Sequence, residues 1–235
     1  ARQLRWIHER RMPSPQPKAR SKPMLTVLID YDSGNLHSAE KAFQRMAVEV
    51  DGGEVIVTDR PEDVMRADRL VLPGDGAFPA CKQALQDKTG LYEALLMQVE
   101  EKARPFMGIC IGMQMMASWG REYTDTPGFD WTAGEVVRIA PDDTTLKVPH
   151  MGWNDLIVTG DHPVMEGIST GDHAYFVHSY HMVVDETSSR LAHVDYGGAV
   201  TAIVGRDTMI GTQFHPEKSQ EKGLRMLANF LRWHP

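Results

Sequence analysis

Between residues 25 and 119 short apolar runs alternate with longer stretches of helical spacing. "LTVLID" (25–30), "EVIV" (54–57), "DRLVLPGDG" (68–76) and "PFMGI" (105–109) read as strands, the third running into a Gly/Pro loop. "LHSAEKAFQRM" (36–46) places Leu36, Ala39, Phe43 and Met46 on one helical face. "LYEALLMQVEEK" (91–102) and "IGMQMMASW" (111–119) read as further helices, and "AVEVDGG" (47–53) as a surface loop. Strands alternating with helices predict a parallel sheet covered on both faces.

Beyond about residue 130 the pattern changes. "GEVVRIA", "AYFVHSYHMVV", "RLAHVDY", "AVTAIVG" and "MIGTQF" follow one another with only turns between them, which predicts antiparallel strands extending the same sheet. "SQEKGLRMLANFLRW" (219–233) closes the chain as an amphipathic helix, with Leu224, Leu227, Phe230 and Leu231 as its stripe. The expected fold is a single α/β domain of three layers, a mostly parallel sheet between helices with antiparallel strands added.

Composition narrows the function classes. The 235 residues, 42% hydrophobic, suffice for one large domain with a core. Seven of the 25 basic residues and one of the 32 acidic ones fall in residues 1–23, leaving 18 basic against 31 acidic in the remainder. An acidic body is a poor partner for nucleic acid, since phosphate contacts need Lys and Arg. Two cysteines point away from a disulfide framework and toward a reducing, cytoplasmic setting. No apolar run approaches the ~20 residues of a bilayer span. Residues 1–23, with four prolines and little periodicity, read as a disordered basic tail. A transit segment and a true start at Met24 are the alternatives.

Cys110 stands between Gly108 and Gly112, after an apolar run and before a helical one. A strand turning sharply into a helix through G-x-nucleophile-x-G is a nucleophile elbow, which exposes the side chain at the carboxyl edge of the sheet. A helix starting at Ile111 would favour a thiolate, and the Ile111 N–H would face an oxyanion. Taken alone, the pattern equally suits a small buried thiol between packing glycines. Cys81, within the helical "FPACKQAL", reads as simple packing.

A thiol acyl-transfer site needs a base and a group that orients it. In "TQFHPEKS" (212–219), Pro216 biases His215 toward extended backbone, so Glu217 lies on the same face as the imidazole. A surface turn is the competing reading. "LPGDGAF" (72–78) ends a strand with main-chain amides at Gly74, Asp75 and Gly76 at the sheet edge, as an oxyanion hole requires, Asp75 giving its amide rather than its carboxylate. An ordinary helix-capping turn would look the same.

In the order PGDG, GICIG, HPE, with "KVPHMGWN" (147–154) and "YFVHSYH" (175–181), these motifs resemble class I, triad-type glutamine amidotransferases. Among them the last two are similar to the glutaminase subunits of imidazole glycerol phosphate synthases. The resemblance spans residues 24–235, the expected amidotransferase domain, and leaves out the tail. It implies that Cys110 attacks the glutamine amide, His215 is the base, Glu217 orients it, and amides of Ile111 and Gly74–Gly76 hold the oxyanion. Gln114 and the His178–Ser179–Tyr180 backbone would bind glutamine, with Glu122 assisting. The implied partner is a separate cyclase subunit in a heterodimer, faced by Tyr175 and Lys218, which receives the ammonia. No cofactor is implied. His173, His178 and His181 lack ligand partners at metal spacing and read as strand-face packing.

One departure is Asp75, where many relatives carry an apolar residue. Three other readings compete: another class I amidotransferase of the anthranilate or guanylate type, a standalone cysteine hydrolase, and a non-catalytic binding module on the same fold.

Overall fold

The computed structural model describes residues 22–34 and 36–235, so the expected tail lies outside the described residues as far as residue 21. The first half alternates as the apolar pattern requires. It runs β1 (Leu25–Ile29), α1 (Leu36–Val50), β2 (Glu54–Thr58), α2 (Pro61–Arg66), β3 (Arg69–Leu72), α3 (Phe78–Asp87) and α4 (Leu91–Leu96), which passes into a π turn, Met97–Glu101. Then come β4 (Phe106–Ile109), α5 (Ile111–Gln114), β5 (Ala117–Gly120), β6 (Thr126–Pro127), β7 (Thr132–Arg138), β8 (His150–Asp155) and β9 (Ile157–Val158). The chain ends with β10 (His173–His178), β11 (Tyr180–Val184), β12 (Arg190–Asp195), β13 (Ala199–Arg206), β14 (Met209–Thr212) and α6 (Gln220–Arg232).

The main sheet has eight strands in the order β2-β1-β3-β4-β14-β13-β12-β9. Pairings from β2 through β14 are parallel, and those from β14 to β9 are antiparallel. Every residue of β1, β3 and β4 is buried, so both faces of the sheet are covered. On α1 and α6, Phe43 and Phe230 meet edge to face with centroids 6.3 Å apart.

Three expectations are corrected. Residues 47–50 continue α1 rather than forming a loop, because Ala47 is buried and its carbonyl accepts from the Gly52 N–H at 2.8 Å. The helix after Cys110 lasts one turn, not nine residues. The Met115 carbonyl is taken by the Phe129 N–H at 2.7 Å, and that of Met116 by the N–H groups of Trp131 and Thr132, both at 2.9 Å. Those are acceptors a continuing helix would need, so tertiary pairing overrides the helical preference of the Met-rich run. Residues 117–120 become β5 instead.

The third correction concerns the later strands. "AYFVHSYHMVV" is two strands separated at Ser179, β10 pairing with β8 in a two-stranded sheet and β11 with β7. "GEVVRIA" lies in β7 of a four-stranded sheet, β11-β7-β5-β6, not in the main one. At Ser179 the chain passes from one ladder to the other, His178 pairing with His150 and Tyr180 with Arg138.

Candidate active site

β3, β4 and β14 are parallel neighbours, so the loops that follow them leave the same edge of the sheet side by side. They are the PGDG loop, the Cys110 turn and the Gln213–Lys218 segment. That is where open α/β sheets present ligand sites.

Cys110 has φ +55° and ψ −111°, a conformation non-glycine residues rarely adopt, costing about 1–3 kcal/mol. Its glycines explain how the turn fits. A Cβ on Gly108 would lie 2.6 Å from the Gly112 carbonyl oxygen, and one on Gly112 would lie 1.7 Å from that of Leu72. The backbones of β3, β4 and α5 therefore touch directly. With one turn of helix, α5 supplies little macrodipole, and the polarity around the sulfur comes from side chains.

His215 supplies most of that. Its Nδ1 is 2.9 Å from Glu217 Oε1, with both side chains buried. The pair does not come from extended backbone alone: Glu217 sits in a 3-10 turn, Pro216–Lys218, which swings it beside the imidazole. Burial pushes the His215 pKa down, but hydrogen bonds with Cys110 and Glu217 and the charges of both outweigh it and raise it to about 10. The imidazole is held protonated through the neutral range.

The oxyanion side is arranged differently. The Ile111 N–H donates to the Gly74 carbonyl at 3.4 Å, so the amide expected to face an oxyanion is engaged by the loop. The flanking carbonyls are held by side chains. Tyr31 Oη donates to Pro73 O at 2.7 Å, and Ser33 Oγ and Cys81 Sγ both donate to Asp75 O, at 2.8 and 3.4 Å. Cys81 is buried, as expected, but it does more than pack.

A cavity of about 420 Å³ opens over the sulfur, a size suited to a small metabolite. Its walls bring together Asp75, Gly76, Cys110, Ile111, Gln114, Glu122, His178, Ser179, Tyr180, His215 and Lys218. Gly74 and Glu217 line a smaller recess beside it. One Glu122 oxygen accepts the Phe78 N–H at the start of α3 at 2.8 Å. Gln114 Nε2 donates to Tyr180 O and to Gln213 Oε1, both at 3.0 Å.

His178 is a neutral structural group. Its Nδ1 donates to the Tyr180 carbonyl at 2.8 Å, so its Nε2 must accept from His150 Nδ1 at 3.0 Å, and His150 Nε2 in turn accepts from Asn154 at 3.2 Å. Burial lowers the pKa of His178 to about 3 and that of His150 to about 4. Among the described residues no group of three or more His, Cys, Asp or Glu side chains could hold a metal ion.

Tyr175 lies outside the cavity wall but is tied to the base. The His215 N–H donates to Tyr175 O at 3.2 Å, the Tyr175 N–H to Ser219 Oγ at 3.0 Å, and Ser219 Oγ to His215 O at 2.7 Å. This closed ring joins β10 to the HPE segment. Outside it, Tyr175 packs 5.8 Å from the ring of the exposed Trp153, and Met151 is also exposed. Sequence reasoning did not single out Gln213, Ser219, Ser33, His150 or Trp153. Gln213 and Ser219 carried a local signal by flanking the HPE motif, and His150 and Trp153 by lying within "KVPHMGWN".

A protein-family model described as "Glutamine amidotransferase class-I" matches residues 27–233. The chain is 71% identical over 212 residues to the imidazole glycerol phosphate synthase subunit HisH of Cereibacter sphaeroides, covering 90% of this chain and 100% of that one. It is 66% identical to the protein of the same name from Ruegeria pomeroyi, with the same coverage. Among solved structures, a glutamine amidotransferase superposes with TM-score 0.66 at 20% identity, over 88% of this chain and 99% of that one. Another glutamine amidotransferase, from Thermotoga maritima, gives 0.57 at 17%, over 83% of this chain and 76% of that one. At those identities the structures speak for the fold alone.

Proposed function

The chain belongs to the class-I glutamine amidotransferase family, and on that footing we propose that it works as the glutaminase subunit of an imidazole glycerol phosphate synthase. It is an enzyme, a glutamine amidotransferase of histidine biosynthesis. The observation that carries the residue assignment is the meeting of Cys110 and His215 at one cavity, with His215 bound to the Glu217 carboxylate behind it at 2.9 Å.

In the proposed sequence, Cys110 gives its proton to His215 Nε2 and attacks the side-chain carboxamide of glutamine. His215 returns the proton to the departing nitrogen, releasing ammonia and leaving a glutamyl thioester. Water, deprotonated by His215, then frees glutamate and the thiol. Gln114, Glu122 and the His178–Ser179–Tyr180 backbone hold the substrate. The ammonia passes to a cyclase subunit in a heterodimer. There it meets a phosphoribulosyl-formimino-carboxamide nucleotide, giving imidazole glycerol phosphate and an aminoimidazole carboxamide ribotide. Residues 24–235 form the working domain, and its setting is the cytoplasm. Among the described residues no helix is long and apolar enough to cross a membrane.

The oxyanion arrangement supports partner gating. Rotating the Gly74–Asp75 peptide would exchange the carbonyl facing Ile111 for the Asp75 N–H and leave two amides pointing at the oxyanion. Tyr175 and Lys218 face the partner, and the ring through Ser219 connects Tyr175 to the base. A hundredfold stimulation needs only about 2.7 kcal/mol of preference for the rotated state, within reach of one or two oxyanion bonds. The test is glutamate release by the chain alone and with the nucleotide-loaded cyclase. Slow turnover alone and strong stimulation together are expected. Full turnover alone would overturn the gating and favour a standalone hydrolase. Absence of covalent labelling by a diazo-ketone analogue of glutamine would overturn the catalytic assignment itself.

A further inference from the structure

Gln213 has no role in the reaction as described. It is fully buried just past β14, two residues before the base, and its Nε2 donates toward Cys110 Sγ at 3.7 Å. Its orientation is dictated from a distance. The Tyr180 carbonyl can only accept, so Gln114 must turn its Nε2 toward it. The second hydrogen of that nitrogen goes to Gln213 Oε1, which commits the Gln213 oxygen and leaves its NH2 facing the sulfur. Two side-chain amides thus form a relay of one polarity, from a main-chain acceptor to the thiol.

The other groups around the sulfur do not duplicate this donor. His215, held by Glu217, is the proton acceptor. Burial raises the pKa of both Tyr31 and Cys81, so they stay neutral, and Tyr31 and Cys81 donate to loop carbonyls. His178 is neutral, and Glu122 is turned to the Phe78 N–H. Asp75 and Lys218 stand on the cavity wall at the exposed side.

We propose that Gln213 is a catalytic hydrogen-bond donor that holds the Cys110 sulfur in its ionised form before attack, and that Gln114 positions it for this. The proposal rests on Cys110 being the nucleophile. The proton still passes from Sγ to His215, and Gln213 keeps both of its own. A thiolate accepts such a bond more strongly than a thiol does, so the donor lowers the pH at which the sulfur ionises.

The test is alkylation of the intact chain by iodoacetamide across pH, with the Cys110 and Cys81 peptides followed separately by mass spectrometry. Gln213→Glu, nearly isosteric but anionic, should move the Cys110 inflection upward by about one pH unit or more. Gln213→Met should move it upward by less. Gln114→Met, which frees the Gln213 amide to rotate, should shift it in the same direction. Limiting rates at high pH should agree within about threefold across the series, which a collapsed pocket would not allow. If one variant fails to fold, the other two decide. Coincident inflections in the folded variants would overturn the donor role. If Cys110 in the wild-type chain is alkylated no faster than Cys81 at any pH, the nucleophile assignment fails instead.

Discussion

The segment after β14 and the loop after β3 face the same sulfur, but their polar groups are in different states. In residues 215–219 the base is bound to its carboxylate, and the backbone is closed into a ring with Tyr175. In residues 73–76 the Gly74 carbonyl occupies the Ile111 N–H, and the carbonyls on either side are held by Tyr31, Ser33 and Cys81. The two segments follow strands on either side of β4, and the difference lies in their own contacts. On the proposed assignment, the groups that would generate the nucleophile already meet in the resting chain, and those that would stabilise charge on oxygen need one peptide rotation.

The largest effects should come from the assembled side. Cys110→Ala should lower glutamine turnover in the complex by ~10⁴-fold or more while the partner's use of free ammonia is kept. His215→Ala should match it, and the double variant should be no worse, because members of such a unit act together. Turnover of Cys110→Ala within tenfold of wild type would remove the basis of the comparison.

Next is the backbone contact between the Cys110 turn and the end of β3. Gly112→Ala would set a Cβ against the Leu72 carbonyl at the base of the loop after β3, and should cost about 3 kcal/mol or more in a denaturant titration. An unchanged midpoint would mean that β3 and α5 can separate, and that the loop after β3 is not braced against the Cys110 turn.

The assembled side also leaves a mark on stability against pH. The pKa of His215 is raised to about 10, so its contribution is complete below its ordinary value of ~6.5 and is lost as pH rises toward 10. His150, His162 and His181 are lowered to about 4 and His178 to about 3, chiefly by burial, so theirs is complete above ~6.5 and is lost as pH falls. With four against one, Tm should fall steeply between pH 6.5 and 4. Equal Tm at pH 7 and 4.5 would show that those histidines are not held neutral.

The smallest effect should come from the unready side. Ser33→Ala combined with Cys81→Ala removes both side-chain donors from the Asp75 carbonyl. The rate of the chain without its partner should rise about threefold to tenfold, the worth of one or two such bonds. The partner-bound rate should barely move. No rise would mean that the loop is held by its backbone alone.

The fold and the meeting of Cys110, His215 and Glu217 were legible because their signals are local: apolar runs at strand spacing, a thiol between glycines, a histidine before proline. Glu217 reached His215 as expected, although through a 3-10 turn rather than an extended chain. What stayed hidden depends on residues distant in sequence. The run after Cys110 is helical by composition, and only the 129–132 segment, by claiming the Met115 and Met116 carbonyls, turns it into a strand. Gln213 read as the end of a strand, since its orientation is set by Gln114, 99 positions earlier. The state of Ile111 was equally out of reach, because its acceptor is on another loop.

The position of β14 in the sheet has a consequence for biosynthesis of the chain itself. Residues 209–212 fit between residues 106–109 and residues 199–206, so the elbow is translated about a hundred residues before its base. On the ribosome the thiol-bearing half can collapse around β1 to β4, yet it lacks His215, Gln213 and the strand that carries them into place. On the proposed assignment of His215, a nascent or prematurely terminated chain that lacks this strand is expected to release no ammonia from glutamine.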